Sequence, residues 1–276
     1  MSKIERTVEG HYSTGSLLDR LREAAKKVGI DWGALTPADM AQIDHFHMRG
    51  LDATRELISL SGFSTGMTVL DVGCGIGGPA RTLAAEVGCH VHGIDLTEEF
   101  IEVAREITAR TGQGDTVKFG SCSALQLPFA EASFDGAWMQ HVSMNIPEKG
   151  TLLREIARVV KPGGAFAFHE VLADQTDEPY FPVPWAASAE GSALATEDGL
   201  KGHLADAGFA VSDWHDLTRD TAGWFEAMFA KATAGEASRL DLSVLMGDRF
   251  PEMARNLHRS LVEGRIKVVM AVCMRG

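Results

Sequence analysis

The chain has 276 residues, 45% of them hydrophobic and 23% charged, with only nine prolines. This is globular composition, which excludes a disordered or collagen-like chain, and the length allows one large domain or two small ones. Lys and Arg number 26 against 38 acids, a formal charge of −12, and so acidic a surface repels phosphate backbones and counts against a nucleic-acid partner. Along the chain, residues 13–28 put Leu17, Leu18, Leu21, Ala25 and Val28 on one face of a predicted helix. Thr36-Pro37-Ala38-Asp39 reads as a helix start, with a cap residue, a proline at the first position and an acid in the first turn. A further helix over roughly 50–61 carries Leu51, Leu57, Ile58 and Leu60, so the first 62 residues read as helical with no strand signal.

From there strands and helices alternate. Thr68–Val72 is a short buried-type strand, followed by a glycine cluster and a helix to about Val87. His90–Ile94 is a second strand ending at Asp95, and the helix over 97–111 groups Phe100, Ile101, Ala104 and Ile107. Val117–Phe119, Phe134–Met139 and Ala165–Val171 read as three more strands. Between the last two, Leu152, Leu153, Ile156, Ala157 and Val160 line a helix that Lys161-Pro162-Gly163-Gly164 terminates. Residues 172–195 break the rhythm with Pro179, Pro182 and Pro184, and from Pro162 to Leu200 there are seven acids and no Lys or Arg. A helix over Thr196–Ala207, a strand over Phe209–Leu217, two or three helices within 219–263 and a strand over Arg265–Met274 complete the chain. The expected architecture is α/β: a doubly wound parallel sheet with an antiparallel last strand. Residues 1–62 would form an N-terminal helical cap, and 63–276 the sheet domain with lid insertions at about 172–195 and 219–263.

The four cysteines, Cys74, Cys89, Cys122 and Cys273, have no CxxC or CxxH spacing, so neither a disulfide framework nor structural zinc is expected. The opening Met-Ser-Lys-Ile-Glu-Arg lacks an apolar leader run, and Val268–Met274 is far too short to span a bilayer. A cytoplasmic protein with no membrane partner is the expectation.

The informative stretch is Val69-Leu70-Asp71-Val72-Gly73-Cys74-Gly75-Ile76-Gly77-Gly78. Glycines at a strand-to-helix turn let a ligand approach the backbone where a Cβ would clash. Two templates fit: Gly73, Gly75 and Gly78 satisfy GxGxxG, while Asp71, Gly73, Gly75 and Gly77 satisfy acid-x-GxGxG. Asp71 separates them, because a carboxylate at the mouth of the loop favours a cationic ligand portion and opposes a pyrophosphate. No Lys or Arg stands nearby as far as Pro79 to offset that repulsion. Asp95, 22 residues after Gly73, suits a carboxylate gripping two ribose hydroxyls under either template.

With VLDVGCGIGGPA, GIDLTEEFIEVAR, LPF, FDGAWMQHVSMN and LREIARVVKPGG in order over roughly residues 62–175, the chain resembles the class I S-adenosylmethionine-dependent methyltransferases of small-molecule type. The flanks, HFHMRG at 45–50 and YFPVPWA at 180–186, are similar to those of glycine, sarcosine and dimethylglycine N-methyltransferases. The resemblance implies a Rossmann-like sheet and S-adenosyl-L-methionine as cofactor. It places Gly73, Cys74, Gly75 and Gly77 in the cofactor loop, Asp71 near the methionine ammonium, Asp95 on the ribose diol and Leu96 on the adenine. Ser123 and Ala124 precede LPF where such enzymes usually have an acid and a small residue at the adenine edge. Ser123 departs from that pattern, which leaves the N6 contact weaker or carried by water. Gln140 matches a position that touches the methionine end.

Methyl transfer from a sulfonium is an in-line displacement, so the protein must align acceptor and methyl, exclude water and, for a hydroxyl, accommodate a proton. His45/His47 and His90/His92 are i, i+2 pairs without a third ligand nearby, and no metal is expected. His141, just past the fourth strand where relatives often carry an acid, is the candidate base, with a packing histidine as the alternative. An unperturbed imidazole titrates near ~6.5, which suits proton removal from a hydroxyl. Asn145 on the same loop is a candidate substrate partner or a turn residue, and His47, its neighbour His45 and Tyr12 are candidates to close over the sulfonium. Trp185 reads as a lid anchor or a core tryptophan, and His169 and Glu170 as facing either the site or the sheet. The expected reaction is methylation of a small molecule at a hydroxyl or weakly basic nitrogen, the molecule being neutral or anionic overall. An amine N-methyltransferase of the sarcosine type, an NAD(P)-dependent oxidoreductase and a non-methylating cofactor-binding cyclase are the alternatives. Oligomeric state is left open.

Overall fold

The computed structural model describes residues 3–12, 15–174, 177–235, 240 and 242–276. Four helices come first: α1 (Lys3–Tyr12), α2 (Leu17–Val28), α3 (Pro37–Met40) and α4 (Gly50–Ser61). The alternating part follows as β1 (Thr68–Val72), α5 (Gly78–Val87), β2 (His90–Asp95), α6 (Glu98–Arg110), β3 (Val117–Ser121), β4 (Phe134–Gln140), α7 (Lys149–Val159) and β5 (Val160–Ala173). The chain then runs through α8 (Glu197–Asp206), β6 (Phe209–Asp216), α9 (Thr218–Thr233), α10 (Ser243–Met246), α11 (Phe250–Val262) and β7 (Ile266–Arg275). The helix expected over 13–28 begins at Leu17, with positions 13 and 14 outside the described residues. Helix α1, which is largely polar, has no counterpart among the elements expected from periodicity. The capping box at Thr36 and Asp39 is formed, but α3 lasts a single turn.

One seven-stranded sheet has the order β3-β2-β1-β4-β5-β7-β6. The pairs from β3 to β5 are parallel, and β7 is antiparallel to both β5 and β6. The direction of winding reverses between β1 and β4, and their carboxyl ends open the crevice where such sheets bind ligands. Strand β1 shows why it takes the centre. Leu70 and Val72 join the apolar cluster of α7 and α8 on one face, whereas Val69 joins the cluster of α4 and α5 on the other. A strand buried on both faces needs apolar residues at successive positions. Asp71 breaks that rule, and the exception marks the site.

The N-terminal helices share a third core cluster with the sheet domain: Leu17, Leu21, Met40 and Ile43 pack with Phe100, Val103 and Ile107 of α6. Ser16 makes no side-chain cap for α2; the Glu99 carboxylate instead accepts from the N–H groups of Gly15 and Leu17, at 3.1 and 2.6 Å. A buried ion pair adds a second tie, with Arg81 Nη2 2.8 Å from Asp44 Oδ2 while Arg81 Nη1 donates to Thr108 Oγ1 at 3.0 Å.

Of the expected insertions, positions 175–176 in the first and 236–239 and 241 in the second lie outside the described residues. The two are bound to each other. Tyr180 N donates to Ser260 Oγ at 3.0 Å, Tyr180 OH to Glu263 Oε2 at 2.6 Å, and Asn256 Nδ2 to Pro182 O at 3.0 Å. The guanidinium groups of Arg259 and Arg265 lie 3.8 and 4.0 Å from the Tyr180 ring centre. Among the described residues no helix is long and apolar enough to cross a membrane.

Candidate cofactor and acceptor site

A cavity opens at the carboxyl ends of β1, β2 and β4 and is roofed by α1, the residues after α3, and α9–α11. Its floor is the glycine loop. A Cβ on Gly73 (φ +72°) would run into the Val142 side chain, and one on Gly75 (φ +53°) would stand 2.6 Å from the Phe46 ring. Bare backbone is therefore required here both by conformation and by the close approach of the roof. Cys74 also lines the cavity, but Gly77 does not. As the left-handed residue before α5 it is turned away, with Phe119 and Arg81 filling the space beside it. Gly77, expected in the cofactor loop, thus stands at its helix end and not on the cavity wall.

Two carboxylates stand in the floor. Asp71 is 2% exposed and its Oδ2 has no hydrogen-bond partner. Burial, with Asp95 adding to it, pushes its pKa up to about 8. Asp95 accepts from Gly75 N at 3.0 Å and from Thr97 N at 2.9 Å. Burial raises its pKa as well, with those hydrogen bonds opposing the rise. Among the described residues no Lys or Arg lines the cavity, so the charge that would relieve Asp71 has to arrive with a ligand. An ammonium at Asp71 and hydroxyl donors at Asp95 fit this donor set, as the methionine and ribose of S-adenosylmethionine supply them. Past Asp95 the wall continues through Leu96, Ser123 and Ala124. There Ser123 Oγ donates to Glu5 Oε1 at 2.5 Å and accepts from Leu125 N at 3.2 Å.

Gln140, at the end of β4, has its amide orientation set from behind. Its Oε1 accepts from Trp138 Nε1 at 3.0 Å and from Thr54 Oγ1 at 3.2 Å, which leaves Nε2 without a protein partner on a residue lining the cavity. Thr54 also meets His47 Nε2 and His45 Nδ1, each at 3.1 Å. His47 lines the cavity, but His45 does not: its second nitrogen is taken by Thr82 Oγ1 at 3.3 Å. His45 belongs to the support of the site.

His141 lines the cavity with φ +53°, a conformation that a non-glycine residue holds only when its surroundings impose it. Glu170, fully buried, imposes it by accepting from Val142 N at 2.8 Å and from Ser143 Oγ at 2.7 Å. Lys149 Nζ ties the same loop down through the carbonyls of Ser143, Ile146 and Ala193 at 2.5, 2.5 and 2.6 Å. The His141 ring packs 4.5 Å from that of His169 and 5.9 Å from that of His47, centre to centre. Burial pushes its pKa down to about 3, well away from the ~6.5 expected of an unperturbed imidazole. Burial thus keeps it neutral at pH 7 in the unliganded site. His169 lies behind the cavity wall, fully buried and with neither ring nitrogen paired, while Glu170 serves the loop.

Asn145 and Tyr12 also line the cavity and are bonded to each other, Tyr12 OH donating to Asn145 Oδ1 at 3.3 Å. Asn145 Nδ2 donates to the carbonyls of Trp185 and Gly191 at 2.8 and 3.2 Å. Most of its hydrogen-bonding capacity is thus spent on joining α1, the β4–α7 loop and the 180–191 segment. Trp185 is 2% exposed and yet on the cavity wall. Sequence reasoning did not reach Glu5, Phe46 or the apolar wall of Trp224, Phe225 and Phe250. Phe46 lies within the HFHMRG flank without being singled out there, and the others carry no local motif. Among the described residues no group of three His, Cys, Asp or Glu is arranged to hold a metal ion.

Comparison with known proteins bears on this geometry. Residues 70–168 match a family model described as a methyltransferase domain. Methyltransferase GfsG of Streptomyces halstedii is 36% identical over 138 residues, half of this chain and half of that protein. O-methyltransferase rstn1 of Aspergillus nomiae is 32% identical over 171 residues, 62% of this chain and 76% of that protein. The chain thus spans only part of its curated relatives, about half in the case of GfsG. Among solved structures, geranyl diphosphate C-methyltransferase from Streptomyces coelicolor superposes with a TM-score of 0.72 at 17% identity, over 100% of this chain and 98% of that one. At that identity the likeness is one of fold. The matched region runs from β1 through both floor carboxylates to β5, and the relatives it finds are methyltransferases: the chain belongs to the S-adenosylmethionine-dependent methyltransferase family.

Proposed function

We propose that the chain methylates a small, mainly apolar molecule at a hydroxyl or weakly basic nitrogen, in a site closed over by residues 1–62 and the insertions at 172–195 and 219–263. The observation that carries this reading is the division of the cavity. Asp71 and Asp95 stand at the ends of strands β1 and β2, and Phe46, Trp185, Trp224, Phe225 and Phe250 enter the cavity from segments outside the sheet. When bound, S-adenosylmethionine supplies a methyl group activated by its sulfonium. Asp71 would take the ammonium and Asp95 the ribose hydroxyls, with Leu96 and Ala124 against the adenine. The backbone of Gly73, Cys74 and Gly75 would lie beneath the methionine part, and Gln140 Nε2 would donate to its carboxylate. Aromatic walls exclude water from the reacting centre and hold an apolar acceptor in place.

His141 is assigned a positioning role: a neutral imidazole can hydrogen-bond the acceptor atom and fix its line of approach. Tyr12 and Asn145 hold the roof shut, and His47 supports Thr54 and through it Gln140. Among the described residues no Lys or Arg lines the cavity, so an anionic acceptor would find no opposite charge there, and the neutral class is favoured. A second reading, a cationic amine, draws on those same acids, with Glu148 joining them at the cavity wall.

The test is transfer of labelled methyl from S-adenosylmethionine to a panel of apolar alcohols, phenols and amines, followed by mass spectrometry. Label on apolar hydroxyl compounds is expected. Label confined to small charged amines establishes the second reading, and binding of S-adenosylhomocysteine without transfer to any acceptor points to a non-methylating descendant. In the active pairing, His141→Gln is expected to keep turnover within about threefold, whereas His141→Ala loses roughly tenfold or more. Equal losses of about 10²-fold in both variants would restore proton removal to His141.

A further inference from the structure

At Ser123, where the resemblance implies an acid, the hydroxyl donates to a carboxylate from another part of the chain, Glu5 of α1. Glu5 and Tyr12 are seven residues apart on α1, two helical turns, and so share one face about 10 Å apart along the axis. Both line the cavity. One end of that face is bonded to Ser123 through Glu5, and the other to Asn145 through Tyr12. The cavity floor has a matching order, with Asp71 at the end of β1, Asp95 at the end of β2 and Ser123 after the end of β3. A ligand with its ammonium at Asp71 and its ribose at Asp95 that continues in this order brings its base to the third position, beside Ser123 and Glu5.

We propose that Glu5 reads the exocyclic amine of the cofactor's adenine, making α1 a strap whose docking is part of cofactor recognition. The proposal rests on the cofactor reading given above. A carboxylate has about four acceptor positions, so the bond from Ser123 Oγ does not by itself exhaust it. Ser123, spent on Glu5 and Leu125 N, orients the carboxylate and need not reach the base itself. The same carboxylate would oppose a base that carries a carbonyl oxygen in place of the amine, because two acceptors would then face each other.

The discriminating measurement is calorimetric binding of S-adenosylhomocysteine and of S-inosylhomocysteine, its 6-oxo analogue, to the full-length wild-type protein, Glu5→Ala and Glu5→Gln. Wild type is expected to prefer the adenosyl compound by about tenfold or more, the size of one charge-assisted hydrogen bond. Glu5→Ala should cut that preference at least fivefold. Glu5→Gln should also narrow it, since an amide can donate to the 6-oxo group. A preference unchanged in Glu5→Ala overturns the proposal, even if both affinities fall, because a helix that merely packs would weaken both ligands alike. Asp95→Ala separates the two levels of the argument. If it weakens S-adenosylhomocysteine at least tenfold while the Glu5 variants keep the wild-type preference, only the role of Glu5 is lost. If wild type binds neither compound, the cofactor reading falls with it.

Discussion

Asp71 is surrounded by what opposes its charge: burial, a neighbouring carboxylate and, among the described residues lining the cavity, no Lys or Arg. With its pKa at about 8, most of it is protonated at pH 7 while no ligand is bound. An ammonium placed beside it returns it toward the usual carboxylate range, so ligand binding must expel its proton. Binding of S-adenosylhomocysteine at pH 6.5–7 is therefore expected to release up to one proton, less as the pH passes 8. Calorimetry in buffers of different ionisation enthalpy measures that number directly, and Asp71→Asn should abolish it. Wild-type binding with no proton released would mean that Asp71 does not meet the ammonium. The residue scale also shows what sequence can carry. Asp71, Gly73, Gly75 and Asp95 were legible because their chemistry lies in local spacing, a turn and two strand ends. The low pKa of His141 and the occupied amide of Asn145 were not, because both arise from side chains brought in from distant segments.

At the scale of elements, the strands were legible where both faces are buried. β1 and β4 read as mainly apolar runs, interrupted at the cavity by Asp71 and Gln140 and at the far end of β4 by Asp135, which pairs with Lys161. Helix α1 was not, since it has little apolar stripe of its own and is held by polar contacts to residues more than a hundred positions away. The tie between the roof and α5 is likewise invisible in sequence, because nothing in the spacing of Asp44 and Arg81 pairs them. Both side chains of that pair are at most 5% exposed. Arg81→Met leaves the Asp44 carboxylate buried without its partner and is expected to destabilise the fold by about 3–5 kcal/mol. Adding Asp44→Asn should recover a large part of that loss, since a neutral amide needs no counter-charge. Urea unfolding of the two single variants and the double variant tests it, and strict additivity would show that the two side chains do not depend on each other.

For the whole molecule, the doubly wound sheet and its antiparallel last strand followed from alternating patterns, while the way three chain segments combine into one roof depended on contacts that only the folded chain makes. One consequence of that roof is a set of buried titratable groups whose effects on stability have opposite signs. His47, His141 and His169 are all held below the ordinary imidazole range, mainly by burial. The unfolded chain takes protons at these positions near ~6.5 and the folded chain refuses them, so their contribution is intact above that pH and is lost as the pH falls below it. Asp71, Asp95 and Glu170 are raised by burial. The folded state then holds protons that the unfolded state has released, and these groups add stability as the pH falls toward the ordinary carboxylate range near ~4. Between about pH 4 and 6.5 the two sets oppose each other, and the acid limb of the stability curve is their difference. His169 separates them cleanly, because neither of its ring nitrogens is paired and it stands off the cavity wall. His169→Phe replaces it with an apolar ring that cannot titrate. The variant should lose stability less steeply than wild type as the pH is lowered from 6.5 to 5, by up to one proton's worth, about 1.4 kcal/mol per pH unit. Urea unfolding at a series of pH values measures both slopes. Parallel curves would show that His169 binds a proton in the folded state as readily as in the unfolded chain.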